Sequence, residues 1–211
     1  MKYINLIYPL IYFIIIIIGV VNFEKIRNSK LLKLFLIFLI YSLVTELIAF
    51  FVGVIFRKNT FYIYNIWNLA NSYFSFYFFY KLINNKLKRN IINTIALFYT
   101  VFSIVDITFF TSFIFDNLNY NIIVSSILIV ISVMLYFAEL LNNEAILIIN
   151  KSIYFWISVG VLFFNIGMIP IFVIAELINY RGIFDIIILS LNIIMAICFI
   201  TGFIVSKKEY N

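Results

Sequence analysis

Long apolar runs alternate with short polar segments along the whole chain. Runs near the 20 residues that cross a hydrocarbon core as an α-helix fall at about 3–21, 31–55, 61–83, 91–110, 120–141, 152–178 and 183–205. The pattern predicts an all-α, polytopic seven-transmembrane-helix bundle, a single integral membrane domain over 1–211. The connecting segments are too short to hold a soluble domain. The first run follows a single basic residue, Lys2, and no small-x-small site comes after it, so it reads as a retained helix rather than a cleaved leader.

Composition agrees with this pattern. The 211 residues are 65% hydrophobic and 11% charged, against about half and a quarter in ordinary soluble domains. A soluble enzyme or a nucleic-acid-binding domain does not fit. The absence of His removes His-based metal sites, His bases and Ser-His-Asp triads. The lone Cys198 forms no internal disulfide and no CxxC pair. No cofactor and no metal are expected.

The net charge of +6 is distributed by side. Eleven of the fifteen Lys and Arg residues lie in 25–33, 81–89, at Lys151 and at Lys207–Lys208. Lys2, Arg57, Lys58 and Arg181 make up the other side. The excess of basic residues marks the cytoplasmic side, which places the N-terminus outside and the C-terminus in the cytoplasm, in a bacterial inner membrane. Trp67 then falls in the outer half and Trp156 near the inner surface. The segment 142–151 carries an apolar stretch at 145–149, read as an interfacial helix or an early start of span six.

Ionisable groups at membrane depth face protein or water. Glu46 is nine residues from the outer end of span two, about 13 Å deep at 1.5 Å per residue. With Ser42, Thr45, Ala49 and Gly53 it forms one small, polar stripe at helical spacing. No Lys or Arg shares its depth, so Glu46 is expected to be neutral, bonded to amides, or in a wet cavity. Asn65, Asn68, Asn71, Ser72 and Ser75 follow one face of span three. Asn165 lies near the middle of span six, and Asn192 shares one face of span seven with Asp185 and Ala196, about 13 Å deep. Asp106, Glu176 and Asp185 sit nearer the outer ends. Together they predict an outward-opening, amide-lined cavity with Glu46, Asn65, Asn68, Asn71, Asn165 and Asn192 as ligand-binding residues. Asp106, Glu176 and Asp185 would form its acidic rim. Glu139 and Glu144 read as solvated helix-end residues. Pro170 is expected to kink span six, and the aromatic run 73–80, which could suggest an aromatic ligand box, is read instead as lipid contact and core.

Tyr8-Pro9, Thr45-Glu46, the Asn65 to Asn71 region, Phe155-Trp156-Ile157-Ser158-Val159-Gly160 and Asn192 carry a resemblance over nearly the whole chain. The sequence resembles a family of uncharacterised seven-helix membrane proteins frequent in Bacteroidota, which implies the topology but no activity. Members of that family often place a His early in the last span, and this chain has none. Span seven also lacks the Lys that microbial rhodopsins need for retinal. The His-based metal chemistry of ceramidase-type hydrolases is missing as well. Sugar and amino-acid carriers of the SWEET and PQ-loop type are similar in span count, external N-terminus and polar residues in spans three and seven, but their Pro-Gln pairs are absent.

The function expected is therefore a receptor-like or sensory accessory module. It would take a small molecule or lipid and act through a cytoplasmic or membrane signalling partner, with the lipid bilayer as its solvent and no nucleic acid. A small-solute carrier, proton-coupled through Glu46, is the alternative. An enzyme using the four carboxyls Glu46, Asp106, Glu176 and Asp185 ranks last, for want of a nucleophile or metal motif.

Overall fold

A computed structural model describes residues 4–141, 149–177 and 181–210, with the side chains of 4–5, 175–177, 181–183 and 210 outside the description. The long helices are α1 (Ile4–Val21), α2 (Lys30–Phe50), α3 (Phe61–Leu82), α4 (Lys86–Phe109), α5 (Asn119–Leu140), α6 (Ile153–Leu177) and α7 (Arg181–Val205). No strand occurs among the described residues. The expected interfacial stretch at 145–149 and Glu144 lie almost wholly outside the described residues, as does the Glu176 side chain.

Five helices among the described residues are long and apolar enough to cross a membrane: Lys30–Ile55, Lys86–Phe109, Asn119–Leu140, Ile153–Ile174 and Phe184–Val205. The apolar part of α1, Leu6–Val21, is shorter. Helix α3 is long but less apolar, because three Asn and two Ser lie along it.

Local sequence sets where the helices start and stop. The Ser29 hydroxyl accepts from Leu32 N at the head of α2, and Asn85 Oδ1 accepts from Leu87 N and Lys88 N at the head of α4, each supplying an acceptor to otherwise unpaired donors. The final turn of α2 widens into a π-type turn over Phe51–Ile55, with Phe56 N bonded back to Phe51 O. Arg57, at φ 53°, then reverses the chain. At the opposite end the Lys25 ammonium binds Phe203 O and Ile204 O at 2.8 and 2.7 Å, a cation on the carbonyl-rich end of α7. Helix α6 continues through Pro170.

The helices pack as a ring. Helix α1 touches α2 and α7, α2 touches α3, α3 touches α5, α5 touches α6, and α6 touches α7 most extensively. Helix α4 lies outside this ring on the seam of α3 and α5. Its inward stripe is Ile92, Ile95, Tyr99, Ser103 and Asp106, at the three- and four-residue spacing of one helix face. Its other face exposes Leu97, Phe98, Val101 and Ile104.

Glycines set the closest approach in the ring. A Cβ on Gly160 would lie 2.9 Å from the Phe199 ring and 3.0 Å from Cys198 Cβ, and one on Gly202 would lie 2.8 Å from Trp156 Cβ. Small residues let helices meet where lipid supplies no hydrophobic drive between them.

Candidate functional site

The centre of the ring holds a cavity walled by α1, α2, α3, α6 and α7. Helix α2 contributes Phe35, Phe38, Leu39 and Ser42, and α3 contributes Trp67, Asn71, Phe74, Ser75, Phe78 and Phe79. Tyr12, Ile157, Val161, Phe164, Asn165, Met195 and Phe199 complete the wall. The space open to the centre of a water molecule is about 40 Å³, room for about three waters at roughly 10–15 Å³ each.

Aromatic packing shapes this wall. Phe38 stacks on Phe74 with ring centres 4.1 Å apart and planes 3° apart, and Phe35 meets Phe199 edge-on at 5.1 Å. Quadrupole interactions favour such offset and edge-to-face pairs. The polar groups are few. Trp67 Nε1 donates to Ser42 Oγ at 3.0 Å, which uses up that indole donor. Asn165, 4% exposed, donates through Nδ2 to Val161 O at 2.8 Å, while its Oδ1 accepts no hydrogen bond among the described residues. The Asn71 amide makes no hydrogen bond there either. Two amides thus bring spare hydrogen-bonding capacity to an otherwise aromatic wall, and no charged side chain lines it.

Of the residues singled out from the sequence, Asn71 and Asn165 line the cavity. Glu46 is half-buried outside it, and its Oε2 accepts from Tyr64 Oη at 3.3 Å. Asn68 is half-buried and makes no side-chain hydrogen bond among the described residues. Asn192 is buried away from the cavity lining and donates to Ile188 O of its own helix at 2.9 Å. Asp185 is half-buried, and its backbone oxygen accepts from Tyr8 Oη at 3.4 Å.

Two expectations are corrected. Asn65 is fully buried and faces the 110–118 loop instead of the cavity. Its Nδ2 donates to Phe113 O and Asp116 O, both at 2.9 Å, and its Oδ1 accepts from Leu118 N at 3.2 Å. Those backbone groups take both N–H donors of the amide and one lone pair of its oxygen, so the loop holds it. Asp106 is 2% exposed and so is not part of an open rim. Its carboxyl accepts from Thr111 Oγ1 at 2.9 Å and from Asn121 Nδ2, while Ser103 Oγ donates to Asn121 Oδ1 at 2.6 Å. This network joins α4, α5 and the loop that caps them.

Sequence reasoning ranked a cavity role for Phe74 and Phe78 below lipid contact and core packing, because inward and lipid-facing aromatics share one composition. Asn121 was also missed, although its place at the head of a span opposite Asp106 was a readable signal. Among the described residues no three His, Cys, Asp or Glu side chains gather as a metal site. No family model, curated protein or solved structure matches the chain.

Proposed function

We propose that the chain is a receptor-like integral membrane protein that takes a small molecule or lipid into the central cavity. In this reading all seven long helices span a bacterial inner membrane, with the N-terminus outside and the C-terminus in the cytoplasm. The ring supports the count: α1 packs between α2 and α7, and α3 between α2 and α5, so both share the depth of spanning neighbours. The polar face of α3 turns inward, which explains its lower hydropathy. The clustering of basic residues supports the orientation.

The observation that carries the function is the aromatic cavity with two amides holding unused hydrogen-bonding groups. Ligand sites are mostly apolar and carry a few placed polar groups. The ligand therefore has an apolar or aromatic body and one or two polar atoms for Asn71 and Asn165. The space as it stands holds about three waters, so the aromatic wall must spread to admit the ligand, and that repacking of the ring would pass a change to a cytoplasmic or membrane partner. Below the cavity, toward the basic end, Ile26, Leu32, Ile83, Ile153 and Phe203 are fully buried. That packed floor favours a receptor over a carrier. The carboxyls of Glu46 and Asp106 bond within different helix groups, which disfavours an enzyme.

Ser75→Phe fills the cavity from α3 and is expected to cost about 1–3 kcal/mol of stability from overpacking. Native mass spectrometry of protein extracted with its surrounding lipid is expected to show a bound small molecule in the wild type that is missing from folded Ser75→Phe. The same bound content in both proteins removes the reading.

A further inference from the structure

One helical turn beyond the cavity wall, away from the basic end, stands a tier of two phenols and one carboxyl, with a third phenol, Tyr12, in the wall directly beneath. Tyr8 precedes Tyr12 by four residues on α1, Glu46 follows Ser42 by four on α2, and Tyr64 precedes Trp67 by three on α3. Tyr12, Ser42 and Trp67 all line the cavity. Residues at that spacing stack on one helix face, about 1.5 Å of rise per residue, so the tier stands one turn above the cavity lining, on the outer side of Tyr12, Ser42 and Trp67.

The four groups act on one another. Tyr64 Oη donates to Glu46 Oε2 at 3.3 Å, and Tyr8 and Tyr12 both lie within electrostatic reach of the Glu46 carboxyl. Glu46 Oε1 accepts no hydrogen bond among the described residues. The ion pair formed among them is Lys88 with Glu139, at the opposite end of the bundle. The acidic group beside the cavity thus keeps a free acceptor and has no basic partner among the described residues, and it is set among tyrosine rings.

We propose that this tier selects a ligand carrying an amine, with the ammonium on Glu46 Oε1 between tyrosine rings and the apolar body in the aromatic cavity beneath. The inference rests on the cavity reading and adds the chemical class of the ligand. An ammonium supplies a charge-assisted hydrogen bond to the carboxylate and is attracted to aromatic faces. A neutral alcohol can donate a hydrogen bond to the carboxylate but brings neither an opposing charge nor attraction to the ring faces, and an anionic head is repelled.

The test compares two probes with one phenylethyl body, phenethylamine and 2-phenylethanol. Equilibrium dialysis against the protein in nanodiscs measures binding, with empty nanodiscs as the partition background. The wild type is expected to hold the amine at least about ten-fold more tightly than the alcohol, and Glu46→Gln to hold the two about equally. If Glu46→Gln does not fold, Tyr64→Leu serves instead: it removes a ring and the donor to Glu46, and the preference must fall several-fold. Equal affinities in the wild type, or a preference that survives Glu46→Gln, overturn the inference and leave the cavity standing. Binding of neither probe overturns the cavity reading and the inference together.

Discussion

Gly202→Leu is expected to separate α6 from α7 and to give the largest stability loss of any single substitution considered for this protein. The new Cβ would sit 2.8 Å from Trp156 Cβ. That neighbour is the root of a side chain, so rotation about χ angles does not relieve the clash and the helices must move apart. This interface is the most extensive in the ring, and Gly160 on the facing helix is packed against Phe199 and Cys198 in the same way. Overpacking of this kind costs about 3 kcal/mol at its upper range, which corresponds to a fall in Tm of roughly 6–12 °C for a chain of this length. Gly167→Ala is the contrast. The three atoms nearest its Cβ all belong to Leu191, the two closest being terminal methyls at 2.4 and 2.7 Å, the flexible end of a side chain that can turn away. Thermal unfolding in detergent, followed by far-ultraviolet circular dichroism, distinguishes the two. Equal, small shifts for both would contradict the close-packed α6–α7 contact.

Asn65→Leu is expected to release the 110–118 loop from the end of α3. The substitution leaves Phe113 O, Asp116 O and Leu118 N without their present partner. Phe113 and Asp116 belong to a loop that reaches solvent, and their carbonyls can take water instead. Leu118 is fully buried, so its N–H carries the desolvation penalty of an unmade bond, about 1–3 kcal/mol. Hydrogen exchange should therefore accelerate at Leu118 and across the loop, while the amides of α6 and α7 stay protected. Asn65→Asp retains an acceptor for Leu118 N and should be milder at that amide. Unchanged exchange at Leu118 in Asn65→Leu would show that the amide does not hold the loop.

The elements were legible because lipid-length apolar runs carry their own boundaries. The run at 61–83 became Phe61–Leu82, and the run at 152–178 became Ile153–Leu177. Helix α4 starts earlier than its apolar run, at Lys86, because Asn85 caps a polar first turn that hydropathy passes over. The fate of individual polar residues was harder to read. Asn65 and Asn71 lie on the same helix in the same kind of sequence. One meets a loop that folds over the end of the bundle, and the other lines a cavity shared with Phe and Asn side chains of α2, α6 and α7. Only the tertiary arrangement separates them. Asp106 looked like a rim residue because its depth was counted from the end of its own helix, whereas the 110–118 loop and Asn121 close over it.

The central claim is that the space between Asn71 and Asn165 is a ligand site. The direct measurement is an experimental structure of the protein extracted together with its native lipid, at a resolution that separates side chains from bound molecules. The account predicts continuous non-protein density against the Phe38–Phe74 stack, within hydrogen-bonding distance of at least one of the two amides. Aromatic side chains collapsed across the space, or ordered water alone, would contradict it.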